Sequence, residues 1–234
     1  MRITPADVGI SIVMVGSMNP AIISPQWLAR HKVISHDVAD AADIKVIHKD
    51  VAVFTCGWCS IQVDRDRFQA QTNEAPYIRL CDLATKLFGE LLPNTPVNAL
   101  GINLVVNFNA PSQRARDALG QTLVPAENWG KWGRSIADEL KESQKKKQGG
   151  VRSVTMQQAQ LDDRDDGWIS VRVEPSGKLG TSGVFVEVND HYVIQVEQGS
   201  ADALAYAQLL EQRFETSMKR SEDIVDQLMA LAHE

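Results

Sequence analysis

The 234-residue sequence has few cysteines, few aromatic side chains, no excess of positive charge and no long apolar run. Three cysteines are too few, and odd in number, for the disulfide framework of a small secreted domain. The formal net charge is −6 at pH 7, whereas a duplex-binding protein usually presents a basic surface to the phosphates. No stretch approaches the ~18 apolar residues that a membrane span needs. These absences argue against a disulfide-stapled domain, a strongly basic DNA-binding protein and a helical membrane protein.

The start of the sequence, "MRITPADVGISIVMVGSMNP", carries one arginine and a short apolar run that alternates with serine and glycine. A secretory signal peptide needs a longer uninterrupted apolar region. We therefore expect a soluble cytoplasmic protein that does not engage a membrane. A chain of this length buries enough surface to form a compact core without disulfides or metals.

Recognisable catalytic and cofactor motifs are also missing. The sequence contains no GxGxxG or GxxxxGK[ST] phosphate loop and no GxSxG nucleophile turn. The acidic run "LDDRDDGW" fails the calcium-loop pattern, because Arg164 stands where an oxygen ligand is required. We predict no cofactor and no metal site. Catalysis by residues that lie far apart in the sequence stays open as an alternative.

The stretch "FTCGWCSIQV" places Cys56 and Cys59 with two residues between them. In a redox CxxC site the first thiol lies at a helix N-terminus, which lowers its pKa. Here the residues after Cys59 alternate between apolar and polar, which is typical of a strand, and a zinc site would need two more ligands. We predict a structural role for both cysteines. An unbroken strand would direct them to opposite faces, whereas a turn at Gly57 would bring them together.

Apolar periodicity predicts a succession of strands and amphipathic helices. Alternation indicates strands at 8–15, 44–55, 59–63, 67–72, 97–108, 151–158, 168–174 and 184–188, and helical spacing covers 76–92 and the region after Ser200. Asn189 and Asp190 form a typical two-residue hairpin turn, which predicts a further strand at 191–196. Trp129 and Trp132 share a helical face with apolar neighbours, so we expect them to be core or interface anchors.

Two strand-like segments, "VGISIVMVGSMNP" and "LGINLVVNFNAP", have similar sequences, and each is followed by a helix, several strands and another helix. Such a repeat predicts an α+β protein of two pseudo-repeated strand–helix–strands–helix halves, 1–96 and 97–234. The halves would form one compact domain, with a helical insertion near 125–150. Chance similarity between two apolar strands is the alternative.

The order of elements resembles the TATA-binding-protein-like fold. That resemblance implies one large curved antiparallel sheet with helices on a single face. The segments "CSIQVDRDRFQ", "TPVNALGIN" and "LVPAENW" resemble a sporadically distributed bacterial family of uncharacterised proteins of similar length. This second resemblance implies no activity and no catalytic residue.

Polar residues fall on one parity of the predicted strands. Asn103, Asn107, Gln62, Gln69 and Arg172 would share the sheet face opposite the helices. An amide-rich face of this kind could hydrogen-bond a ligand or a partner, and a merely solvated sheet face is the alternative.

Basic residues are concentrated in the segment that follows the helical insertion. Lys145, Lys146, Lys147 and Arg152 could contact phosphates or an acidic partner. A solvated loop is the alternative interpretation.

The sequence leads to three alternative hypotheses about function. We favour a non-catalytic binding or assembly protein that acts through a protein partner or through self-association, as a homodimer formed by sheet edges or by the C-terminal helix. The first alternative is an enzyme with a Cys/His site between the halves. The second is a nucleic-acid binder that uses the sheet face and the basic loop at 141–152.

Overall fold

The computed structural model describes residues 4–141, 150–161, 164–196, 199 and 201–232. The strands are β1 (Asp7–Gly16), β2 (Asp43–His48), β3 (Val51–Cys56), β4 (Cys59–Asp64), β5 (Arg67–Thr72), β6 (Pro96–Asn109), β7 (Val154–Leu161), β8 (Arg164–Pro175), β9 (Gly183–Tyr192) and β10 (Ala201–Asp202). The α-helices are α1 (Pro25–Arg30), α2 (His36–Asp40), α3 (Ile78–Thr85), α4 (Gln113–Leu123), α5 (Gly130–Lys141) and α6 (Ala203–Leu231). A π-helical stretch, Lys86–Leu91, follows α3, and a 3₁₀ turn, Ala126–Trp129, precedes α5.

The strands form one antiparallel sheet in the order β2-β3-β4-β5-β1-β6-β9-β8-β7, and the short β10 pairs with β6. β1 and β6 lie side by side at the centre, where Ile12 opposes Ile102. The remaining strands of residues 1–96 extend outward from β1, and those of residues 97–234 extend outward from β6. The predicted α+β class with a large antiparallel sheet is confirmed. Descent of the halves from a duplication stays a prediction.

One face of the sheet, called here the helix side, carries the core. Ile10, Ile12 and Met14 of β1 are each at most 1% exposed, and the matching positions of β6 are buried in the same way. α6 contacts β6 and β9, while α3 contacts β1 and β5. Burying an aliphatic side chain of this size contributes about 1.5–3 kcal/mol, so this layer is the main source of stability.

α6 is the long helix that spans the helix side. The Asp202 carboxylate accepts a hydrogen bond from the Ala205 N–H (3.0 Å) and caps the first turn. Tyr206, which is fully buried, donates its hydroxyl hydrogen to the Asn98 carbonyl (2.6 Å) and accepts from the Ile194 N–H (2.9 Å). These two bonds fix the start of α6 to the centre of the sheet.

The predicted hairpin turn at Asn189 and Asp190 is wrong, because both residues lie inside β9. Asp190 is fully buried on the helix side, where its carboxylate pairs with Arg164 and with Arg220 of α6. The Tyr192 hydroxyl also donates to this carboxylate (3.0 Å). Asp190 lies in an extended strand despite the preference of aspartate for turns, because three donors bind its carboxylate there.

The predicted single strand at 44–55 is also wrong in detail. It is a hairpin of β2 and β3, with Lys49 and Asp50 at the turn. The His48 Nδ1 atom accepts a hydrogen bond from the Asp50 N–H (3.3 Å) and supports the reversal. Because β2 turns back, it becomes the outermost strand of the sheet.

Candidate functional site

The face opposite the helix side, called here the open face, carries a continuous line of polar residues. The polar row takes one residue from each of nine strands, in register: Asp43, Thr55, Ser60, Gln71, Ser11, Asn103, Asn189, Ser170 and Gln157. Neighbouring strands are about 4.8 Å apart, so the row is about 38 Å long. No described helix covers it, because the described helices that touch the sheet pack on the helix side.

Hydrogen bonds fix the orientation of the amides and hydroxyls in and beside the row. Thr55 Oγ1 and Ser60 Oγ are 2.8 Å apart, and the Asn103 amide donates to Ser11 Oγ (3.1 Å). Along β5, the Gln69 amide donates to Gln71 Oε1 (3.0 Å). Side chains whose geometry is set in advance lose less conformational entropy when a ligand binds.

Gly101 opens a small depression at the centre of the row. A methyl group at this position would lie 3.4 Å from Asn189 Oδ1 and 3.6 Å from Asn103 Nδ2, so both amides lie beside the bare backbone. Asn189 Oδ1 is buried and has no hydrogen-bond partner among the described residues. A buried acceptor without a partner costs about 1–3 kcal/mol, and a donor supplied by a ligand would recover this energy.

An aromatic pair lies next to this depression. His191 opposes Gly101 in the sheet and stacks on Trp168 of β8, with ring centroids 3.8 Å apart and planes 20° apart. Burial, together with the charge of Arg164, lowers the pKa of His191. The imidazole is therefore neutral at pH 7, and the pair presents an uncharged aromatic surface beside the amides.

The predicted face residues share the open face as the alternation indicated, but they differ in availability. Gln62 and Gln69 oppose each other across β4 and β5, and Asn103 lies at the centre of the row. Arg172 is engaged internally, with ion pairs to Glu187 (2.7 Å) and Glu174 (3.2 Å). Its charge is therefore already balanced within the sheet.

Asn107 lies at a corner of the open face that is covered by a loop. It is 1% exposed, donates to the Asp7 carboxylate (3.3 Å) and accepts from the Ser176 hydroxyl (2.6 Å). Lys178 bonds the same carboxylate (2.6 Å) and lowers the pKa of Asp7. The Asn107 amide therefore ties β6 to this loop.

The predicted basic group is only partly within the described residues. Lys145, Lys146 and Lys147 lie outside them. Arg152 is described and exposed, and together with Arg116 of α4 it lines a cavity in the helix layer, away from the polar row.

The two cysteines of the CxxC segment oppose each other across a hairpin. Gly57 and Trp58 form the turn between β3 and β4, and Gly57 has a φ of +54°. Both side chains are buried on the helix side as free thiols. Burial raises the pKa of Cys56 to about 11 and that of Cys59 to about 12. These thiols stay protonated at neutral pH and act as small apolar core residues.

The sheet separates these cysteines from His191, which lies on the open face. Cys56 and Cys59 are therefore not brought together with His191, and the alternative of a Cys/His enzyme stays a prediction. Within the described part of the chain, no group of three His, Cys, Asp or Glu side chains is placed to hold a metal ion.

Trp129 and Trp132 are not core residues, because 58% and 64% of their surfaces are exposed. Their rings make an edge-to-face pair with centroids 5.9 Å apart. Sequence reasoning missed the Trp168–His191 stack, since these residues come from strands whose register only the structure defines. The polar row was detectable in part through its glutamines and asparagines.

Comparison with known proteins gives no family assignment: no protein-family model matches the chain, and no curated protein matches it significantly. None of the described helices combines the length and the apolar character that crossing a membrane requires.

Proposed function

We propose that this chain is a non-catalytic binding or assembly protein that associates with a second copy through β2. The observation that carries the proposal is the exposure of this edge strand along its whole length. Ile44, Val46 and Ile47 are 45%, 36% and 42% exposed. An edge strand with apolar side chains offers unpaired backbone groups to another strand.

An antiparallel pairing of two β2 strands preserves the two faces of the sheet. With the twofold axis between Lys45 and Val46, Asp43 opposes the partner's His48, and Ile44 opposes the partner's Ile47. Asp43 and His48 are both on the open face, since they pair with Thr55 and Val51 of β3. Ile44 and Ile47 are both on the helix side, opposite Phe54 and Ala52. In these pairs polar side chains meet polar ones and apolar side chains meet apolar ones, whereas the central pair sets Lys45 against the partner's Val46.

A bulge between Ile44 and Val46 limits the strength of this pairing. Bulges bend an edge and interrupt the ladder, and a lysine in an edge strand opposes unrestricted addition of strands. Lys45 lies at the bulge and pairs with Asp43 (2.7 Å). We therefore expect a reversible, concentration-dependent dimer rather than a filament.

Sedimentation velocity over a concentration series tests the dimer. The unmodified chain should show a rising sedimentation coefficient, and Ile47→Lys should shift it to the monomer at all concentrations. Met156→Lys is the matched control, because Met156 is 76% exposed on β7, the opposite edge. A strict monomer, or dissociation by Met156→Lys alone, would overturn the assignment to β2.

The open face supports a second, compatible activity, which is recognition of a neutral ligand rich in hydroxyl groups. The specific observation is the polar row beside the uncharged Trp168–His191 stack. Arg172 is neutralised by Glu187 and Glu174, so this arginine does not offer an unbalanced charge to a phosphate. Amides and hydroxyls with fixed orientation match a neutral polar ligand better than a charged one.

Tryptophan fluorescence provides the test of this recognition, since Trp168 lies beside the row. Neutral hexasaccharides (maltohexaose, cellohexaose and chitohexaose) and the single strand dT20 serve as probes. We expect a saturable response to a saccharide that does not depend on salt. The double variant Gln62→Glu, Gln71→Glu should weaken it, whereas Gln208→Glu, on the exposed side of α6, should not.

A response to dT20 alone that disappears with salt would favour the nucleic-acid alternative instead. The absence of any response to the saccharides would overturn the proposal for the open face. Neither outcome bears on the dimer, which is measured without a ligand.

A further inference from the structure

A cavity of about 600 Å³ lies in the helix layer of the second half, beneath α4. It extends from α4 to the ends of β7, β8 and β9, and its volume falls within the range of about 300–1,000 Å³ found for small-molecule sites. Leu119 is the one buried residue of α4, so this helix stands away from the sheet.

Part of the cavity wall is aliphatic, and the rest is formed by polar and charged residues. Val173 and Val184 form the floor and are buried in the sheet, while Leu119 and Leu123 project from α4. Val151 closes one side. The aliphatic part of the wall favours an apolar body, because water beside it gains little hydrogen bonding.

The charged groups at the rim are unevenly paired. The Arg116 guanidinium donates two hydrogen bonds to Asp117 Oδ1, at 3.1 Å and 2.6 Å. Glu174 also lines the cavity, but its strand parity places its side chain on the open face, where it accepts from Arg172 (3.2 Å). Both carboxylates are therefore engaged by other arginines than Arg152. Arg152 lines the same cavity and makes no ion pair or side-chain hydrogen bond to another described residue.

We propose that this cavity binds a small amphipathic anion. The apolar part of the ligand lies against the valines and leucines, and its carboxylate or sulfonate group pairs with Arg152. A guanidinium binds such groups with two parallel, charge-assisted hydrogen bonds, which gives orientation as well as affinity. The site lies on the opposite side of the sheet from the polar row and is independent of the β2 edge.

Fluorescence titration with 1-anilinonaphthalene-8-sulfonate, an aromatic sulfonate, tests the site on the intact chain. We expect saturable binding of one probe per chain and displacement by decanoate but not by the uncharged 1-decanol. Arg152→Gln should weaken binding about tenfold, since it removes a charge-assisted pair. Arg114→Gln is the matched control, because Arg114 is an exposed arginine of α4 that does not line the cavity.

A second pair of variants tests where the probe binds. Leu123→Trp fills the cavity and should abolish binding, whereas Trp132→Ala should leave it unchanged, because Trp132 does not line this cavity but a neighbouring one of about 320 Å³ that shares Gly150, Val151 and Arg152 with it. Circular dichroism confirms that each variant is folded. The proposal is overturned by non-saturable binding, by equal effects of Arg152→Gln and Arg114→Gln, or by loss of binding in Trp132→Ala with retention in Leu123→Trp.

Discussion

The two halves of the sheet share an order of elements but differ in how their helix sides are filled. In the first half, Phe54, Ile61 and Phe68 are at most 1% exposed, and the Phe68 ring packs edge to face on Phe88 at 4.8 Å. In the second half, Met156 of β7 is 76% exposed and the cavity under α4 lies over β8 and β9. The same order of elements thus carries a closed core in the first half and a cavity of about 600 Å³ in the second.

The difference follows from the helices that each half contributes. α3 and the π-helical stretch supply four large buried residues, Leu80, Leu83, Leu87 and Phe88, and Gly89 allows a close approach to Ala207 of α6. α4 has the sequence "QRARDALGQTL", in which Leu119 alone is buried. A helix with so few apolar residues cannot fill the space above two strands.

The largest expected effect comes from truncating a core residue of the closely packed first half. Phe68→Ala should lower the free energy of unfolding by about 3–5 kcal/mol, because it removes a fully buried ring and leaves a cavity against Phe88. Met156→Ala, on the helix side of the other half, should change it by less than about 0.5 kcal/mol. Urea unfolding measures both, and equal effects would show that the two halves are packed alike.

A slightly smaller effect is expected at the buried carboxylate of the second half. Asp190→Ala should cost about 3 kcal/mol, since it leaves Arg164 buried without its carboxylate. The expected value is at the lower end of the usual range, because Arg220 is 24% exposed and can turn toward water. Asp202→Ala is the control for loss of a carboxylate and should cost only about 1 kcal/mol as a helix cap.

The smallest expected effect concerns His191 of the second half and the dependence of the free energy of unfolding on pH. Burial lowers the pKa of His191 in the folded state, so the unfolded chain binds more protons as the pH falls below about 6.5. The free energy of unfolding should therefore decrease from pH 7 toward pH 5, and His191→Phe should remove part of this decrease. His48→Phe, at an exposed position, should retain the full slope in chemical unfolding at each pH.

Much of the sheet could be predicted from the sequence, because alternation with period two is a local property. Parity alone predicts that Gln62, Gln69 and Asn103 share one face. The predicted turn at Asp190 is wrong, since its partner Arg164 is 26 residues away and its other partner, Arg220, belongs to α6. The position of Arg152 at a cavity depends on how far α4 stands from the sheet, which no local pattern records.

The central pairing of β1 with β6 has a consequence for synthesis on the ribosome. Asp7 opposes Asn107, so the inner edge of β1 has no strand to pair with until the chain has been made past residue 109. Strands β2 to β5 can already hold β1 on its other side at that stage. In the nascent chain this edge of β1 therefore stays unpaired for several seconds at ordinary elongation rates of about 5–20 residues per second.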